Sequence, residues 1–200
     1  MSGVVLSTAY FPPIEWMAHY VQQNSITLEG QEFYQKQTYR SRALIAGPNG
    51  TQILNVPVKR KVREIQDCLI SYEEDWVKDH VKALESAYAK SPFYEVLMPD
   101  VVALLREKRT TLWELNMGAI ELFERWLDVD RKWELSQRYE LEPHGLDLRN
   151  LSPKVPSSLK FGYYPQVFQE KIGFQNNLSA LDLFFNLGRS SWDYLNELEL

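Results

Sequence analysis

Three observations predict an α/β (or α+β) fold, a small sheet with an early β-hairpin covered by amphipathic helices. Short apolar runs near the N-terminus alternate with helical patterning. A Gly-Pro-Asn-Gly turn separates two extended segments, and residues 71–127 carry the 3.6-residue periodicity of successive amphipathic helices. The chain has 200 residues. That length suits one core, so a single domain over residues 1–200 is expected.

Residues 4–7, Val-Val-Leu-Ser, read as a buried strand, and Tyr10-Phe11-Pro12-Pro13 leads into a helix over 14–23. Pro13 suits the first helical turn, where a missing N–H costs nothing. Residues 25–28 return as a second strand, whereas 33–40 are polar-aromatic and carry no clear periodicity. Strands at 42–46 and 51–58 flank Gly47-Pro48-Asn49-Gly50, whose glycines and Asn-Gly pair supply the positive φ angles of a hairpin loop. Another strand is expected at 66–71.

Ser71 and Glu74 have capping-box spacing, and beyond them Trp76, His80, Leu84, Ala87 and Tyr88 share one helical stripe. Ser91-Pro92 ends that helix, because the residue before a proline disfavours the α region. Helices follow at 96–106 and 111–127, then a strand within 133–141 and an exposed, shortened, proline-rich connection near 143–165. Near the end, Ser179 is placed to cap a short helix with Asp182 at its third position. Leu178 and Leu183 hold the staple positions, and Gly188 closes it.

Composition narrows the function. Hydrophobic residues make up 44% and charged residues 24%, which excludes intrinsic disorder. The 13% aromatic share, rich in polar-tipped Tyr and Trp, suits ligand grooves and interfaces. A net charge of −5 argues against nucleic acid as partner, and the run Lys59-Arg60-Lys61-Val62-Arg63 reads as a solvated loop. One cysteine, Cys68, excludes an internal disulfide and a cysteine-based zinc site. With no signal-peptide pattern and no long apolar run, a cytoplasmic protein without a membrane span is expected. Glycine-rich phosphate loops, spaced metal ligands and seryl or cysteinyl nucleophile motifs are absent, so neither cofactor nor metal is expected.

Several blocks occur together: Tyr10-Phe11-Pro12; Lys36-x-Thr38-x3-Arg42; Asn55-Val56-Pro57-Val58; Trp76-x3-His80-x4-Glu85-x2-Tyr88-x3-Pro92-Phe93; and Asn177-Leu178-Ser179-x-Leu181-Asp182-Leu183-x-Phe185-Asn186-x-Gly188. In this order they resemble the WbqC-like proteins. The resemblance implies a bacterial protein of a family named from a surface-polysaccharide, or O-antigen, gene region. Members commonly carry His-Gln-Pro just ahead of the Tyr-Phe-Pro, where this chain has Leu6-Ser7-Thr8. Longer members also have an α/β segment before the last block, here replaced by the proline-rich connection.

His80, in an apolar stripe, would be neutral and suited to general-base work, or else a core histidine bonded to backbone or a carboxylate. Glu85 lies too far round the helix to partner it, so Asp182, in the other best-marked block, is the candidate. Lys36, Tyr39, Arg40 and Arg42 form a basic-aromatic cluster. If 38–42 is extended, both arginines share a face and could grip an anion, unless surface carboxylates take them. Tyr10 and Asn177 complete the expected ligand contacts. Two functions stay open. One is a transferase-like enzyme acting on an activated sugar or related anionic metabolite, which requires Arg40, Arg42 and His80 in one cleft. The other is a non-catalytic sugar- or protein-binding module.

Overall fold

A computed structural model describes residues 3–59 and 64–200. Its centre is a four-stranded parallel sheet in the order β5-β2-β1-β6, formed by β1 (Val4–Ser7), β2 (Ile26–Glu29), β5 (Glu134–Leu135) and β6 (Leu146–Asp147). Helix α1 (Ile14–Gln22) connects β1 to β2 as a βαβ unit. Because strand side chains alternate, Val4 and Leu6 lie beside Ile26 and Leu28 on the core face. Val5 and Ser7 lie beside Thr27 and Glu29 on the other face. The chain runs from β1 to β2 and β5 on one side and returns to β6 on the other. The crevice between the carboxyl ends of β1 and β6 is therefore a topological switch point, where open α/β sheets commonly bind ligands.

The hairpin forms as expected, from β3 (Arg42–Gly47) and β4 (Gly50–Asn55), with Gly50 at φ 117°. Helices α2 (Trp76–Tyr88), α3 (Tyr94–Arg106) and α4 (Leu112–Leu127) follow. The α2 stripe is buried, His80 included. After α5 (Gln169–Ile172) comes α6 (Ala180–Leu187), which packs against α1, α3, β3 and α7 (Ser191–Glu197). Ser179 caps α6: its Oγ accepts from the Leu181 N–H and donates to the Phe11 carbonyl at 2.9 Å. Main-chain bonds from Ile14 to Leu178, Ala180 to Pro12 and Ser179 to Leu44 tie this cap to the loop entering α1 and to β3.

Several expectations are corrected. Pro13 is the N-cap of α1 and not its first helical residue. Residues 66–71 form no strand. Single bridges, Val58 to Ile70 and Leu69 to Thr111, anchor that stretch while Ile65, Cys68 and Ile70 enter the core. The α2 cap is Asp75, whose Oδ1 accepts from the Lys78 N–H, and not Ser71. The capping box belongs instead to Thr111 and Glu114 at the start of α4. The strand within 133–141 shrinks to two residues. The proline-rich connection is not merely exposed, for it supplies β6 and the buried Arg149 and Tyr164. Residues 60–63 of the basic run lie outside the described residues.

Candidate active or ligand site at the sheet's carboxyl edge

The loop after β1 is held from several directions. The Trp16 indole N–H donates to the Ser7 carbonyl at 2.8 Å, and Asn116 of α4 donates to Thr8 Oγ1 and the Arg40 carbonyl. Phe11 takes φ 41° while fully buried, an uncommon backbone state for a residue with a Cβ. Tyr10 also points inward. Its hydroxyl meets His80 Nδ1 at 2.9 Å, and its N–H donates to the Tyr39 carbonyl.

Charged groups converge where β1 and β2 end. Arg40 donates from Nε to Glu32 Oε1 at 2.7 Å and from Nη2 to Glu32 Oε2, to Ser7 Oγ at 2.6 Å and to the Arg149 carbonyl at 3.0 Å. Arg149 pairs with Glu29 at 3.1 Å and bidentately with Asp147 at 2.9 and 2.7 Å, and stacks over the Tyr139 ring. Its hydrogen bonds hold the Asp147 carboxyl below the usual range. Ser136 donates to the second Glu29 oxygen. Arg40, Arg149, Glu29 and Glu32 are buried and mutually satisfied.

Beside this network opens a crevice of about 360 Å³. Its lining includes Glu15, Tyr39, Asp147, Asn150, Ser152, Ser157 and Ser158, with Leu148, Leu151, Val155 and Pro156 as apolar walls. Glu15 stands in the first turn of α1. Its N–H donates to Asn177 Oδ1 and its Oε2 accepts from Asn177 Nδ2, both at 2.9 Å. Burial pushes its carboxyl above the ordinary value, against hydrogen bonds from Ser157 and Asn177 that pull it down. Asn177 holds φ 46°, a state asparagine tolerates better than most residues. Burial and the neighbouring Glu15 charge both push the Tyr39 phenol upward.

The residues singled out from the sequence do not form one site. His80 is 6% exposed, between Tyr10 and Trp76. Burial drives its imidazole down to about 4, so it accepts from Tyr10 as a neutral core ring with its other nitrogen toward the Asn55 carbonyl. Asp182 accepts from Tyr164 at 2.7 Å and Gln166 at 3.1 Å, and burial raises it to about 6. Asp182 couples to Tyr88, which lies two turns of α2, roughly 12 Å, from His80. His80 and Asp182 are therefore not a pair. Arg40 is spent on Glu32, Arg42 donates to Asn55 on the hairpin, and Lys36 is exposed on a turn. The reason is local: residues 35–41 follow turns, so strand alternation does not put Arg40 and Arg42 on one face. Only Tyr39 and, through Glu15, Asn177 reach the crevice. Sequence reasoning missed Glu15, Glu29, Glu32 and Arg149. Acidic residues at the end of an apolar parallel strand and just beyond it, as Glu29 and Glu32 are, were the available signal.

The WbqC-like protein family matches residues 8–154 of the chain. The chain belongs to this family. The match spans the loop after β1, the hairpin, helices α1 to α4 and β6, hence most of the crevice lining. Leu6, just ahead of the matched residues, is fully buried on the core face of β1. The chain is also 30% identical over 196 residues to the uncharacterized protein Rv1507c of Mycobacterium tuberculosis, covering 81% of this chain and 83% of that one. No solved structure matches. Among the described residues no helix is long and apolar enough to cross a membrane, and no cluster of His, Cys, Asp and Glu is arranged to hold a metal.

Proposed function

We propose that this WbqC-like chain binds a sugar-containing small molecule in the crevice beside the carboxyl end of β6, as a binding module serving surface-polysaccharide biosynthesis. The observation that carries this reading is the crevice itself. Its volume lies in the range of small-molecule sites. Hydroxyls and amides from Ser152, Ser157, Ser158, Asn150 and Tyr39 alternate with apolar walls, which suits a ring that is polar at its edge and apolar on its faces. The bacterial polysaccharide setting comes from the family resemblance alone.

The transferase with Arg40 and Arg42 gripping an anion and His80 as base finds no support in the geometry, since the three groups occupy three different places. A thermal-shift screen of free sugars, phosphorylated sugars and nucleotide sugars tests the proposal, repeated with Ser158→Trp, which fills the crevice from an exposed position. A sugar hit lost in the variant supports it. A hit that survives the filled crevice contradicts it.

A further inference from the structure

We propose that the crevice selects a sugar bearing a free amine, an amino sugar, through the Glu15 carboxylate; the inference rests on reading the crevice as a sugar site. The charged groups lining the crevice are Glu15 and Asp147, both acidic. Asp147 is consumed by the Arg149 fork. Glu15 differs, because its hydrogen-bond partners are the neutral Asn177 and Ser157. No ion pair involves it among the described residues.

Tyr39 gives a second, independent pointer. It is 6% exposed, lines the same crevice, and has no hydrogen-bond partner for its hydroxyl among the described residues. The Tyr39 hydroxyl reaches the crevice surface from an otherwise buried ring, and the Glu15 carboxylate beside it has no counter-charge among the described residues, so both keep capacity for a ligand. An ammonium uses it best. It donates three hydrogen bonds and supplies the missing positive charge, whereas a phosphate would meet two carboxylates with no cation lining the crevice. Acylating the amine removes the charge and leaves a single N–H. The crevice should therefore distinguish a free amine from both its N-acetyl form and a plain hydroxyl.

Isothermal titration of D-glucosamine, N-acetyl-D-glucosamine and D-glucose, with wild type and Glu15→Gln, tests this. Glucosamine is expected to bind at least tenfold tighter than the other two. Glu15→Gln keeps an acceptor for Asn177 and should erase that preference. Equal affinity for all three sugars, or a preference that persists in the variant, overturns amine selection and leaves the sugar site standing. If none of the three binds wild type, the sugar reading falls and the amine inference with it. The wild-type ranking keeps its force should the variant fail to fold, which a circular-dichroism melt would show.

Discussion

The buried charge network and the crevice beside it stand at the same sheet edge and are built in opposite ways. In the network every charged group has a partner of opposite sign. Arg40 meets Glu32, and Arg149 meets Glu29 and Asp147, with Ser7 and Ser136 taking remaining valences. In the crevice, Glu15 has no cation and the Tyr39 hydroxyl no partner among the described residues. A buried polar group that is fully paired fixes structure. One left unpaired at the mouth of a cavity keeps binding capacity in reserve. The arginines, the most ligand-like residues of the sequence, are thus engaged within the protein, and the proposed recognition rests instead on an inconspicuous glutamate in a helix's first turn.

The largest effect should come from breaking the network. Glu32→Gln leaves Arg40 buried without its counter-charge, and urea denaturation should show a loss of about 3–5 kcal/mol. A loss under about 1 kcal/mol would mean that Arg40 finds water or another partner, erasing the contrast. Acidification comes next. His80 and His19 are each driven down to about 4 by burial. The unfolded chain takes up these protons more readily than the folded one. Their contribution is complete above the unfolded value of about 6.5 and is lost as pH falls toward 4, on the order of 3 kcal/mol in total, most of it from His80, the more enclosed of the two. Stability measured from pH 7.5 to 4 checks this, with a flat profile as the contrary result.

Asp182 works in the other direction. Its carboxyl is raised to about 6, so the folded state binds a proton more tightly and pays a penalty that grows as pH rises from about 4 to 6. Asp182→Asn retains acceptance from Tyr164 and places a neutral amide beside Tyr88. The variant should gain about 1–2 kcal/mol at pH 7.5 and lose stability more steeply on acidification. The smallest change in stability belongs to the crevice. Tyr39→Phe removes a hydroxyl that has no partner among the described residues and should shift stability by less than about 0.5 kcal/mol, while weakening sugar binding several-fold. A large stability loss with unchanged binding would reverse the roles assigned to the two regions.

Much of this fold is legible in the sequence because local signals agree with tertiary demands. The hairpin follows from Gly47-Pro48-Asn49-Gly50, the α2 stripe from its period, and the α6 cap from Ser179. Where two local signals compete, the sequence misleads. Ser71-x-x-Glu74 and Thr111-x-x-Glu114 carry the same pattern, yet Asp75 displaces the first as cap while the second forms. The site is less legible than the fold, because its pairings are remote. Arg149 reaches Glu29 across 120 positions and Asn177 reaches Glu15 across 162. Arg40 looked available only because turns were read as a strand.

Backbone amide chemical shifts recorded while D-glucosamine is titrated into the protein test the central claim most directly. The account expects perturbations concentrated at Glu15, Tyr39 and residues 147–158, with the surroundings of His80, Arg42 and Lys36 unmoved. Perturbations centred instead on His80 and Arg42, or on the groove lined by Glu134, Arg138 and His144, would contradict it.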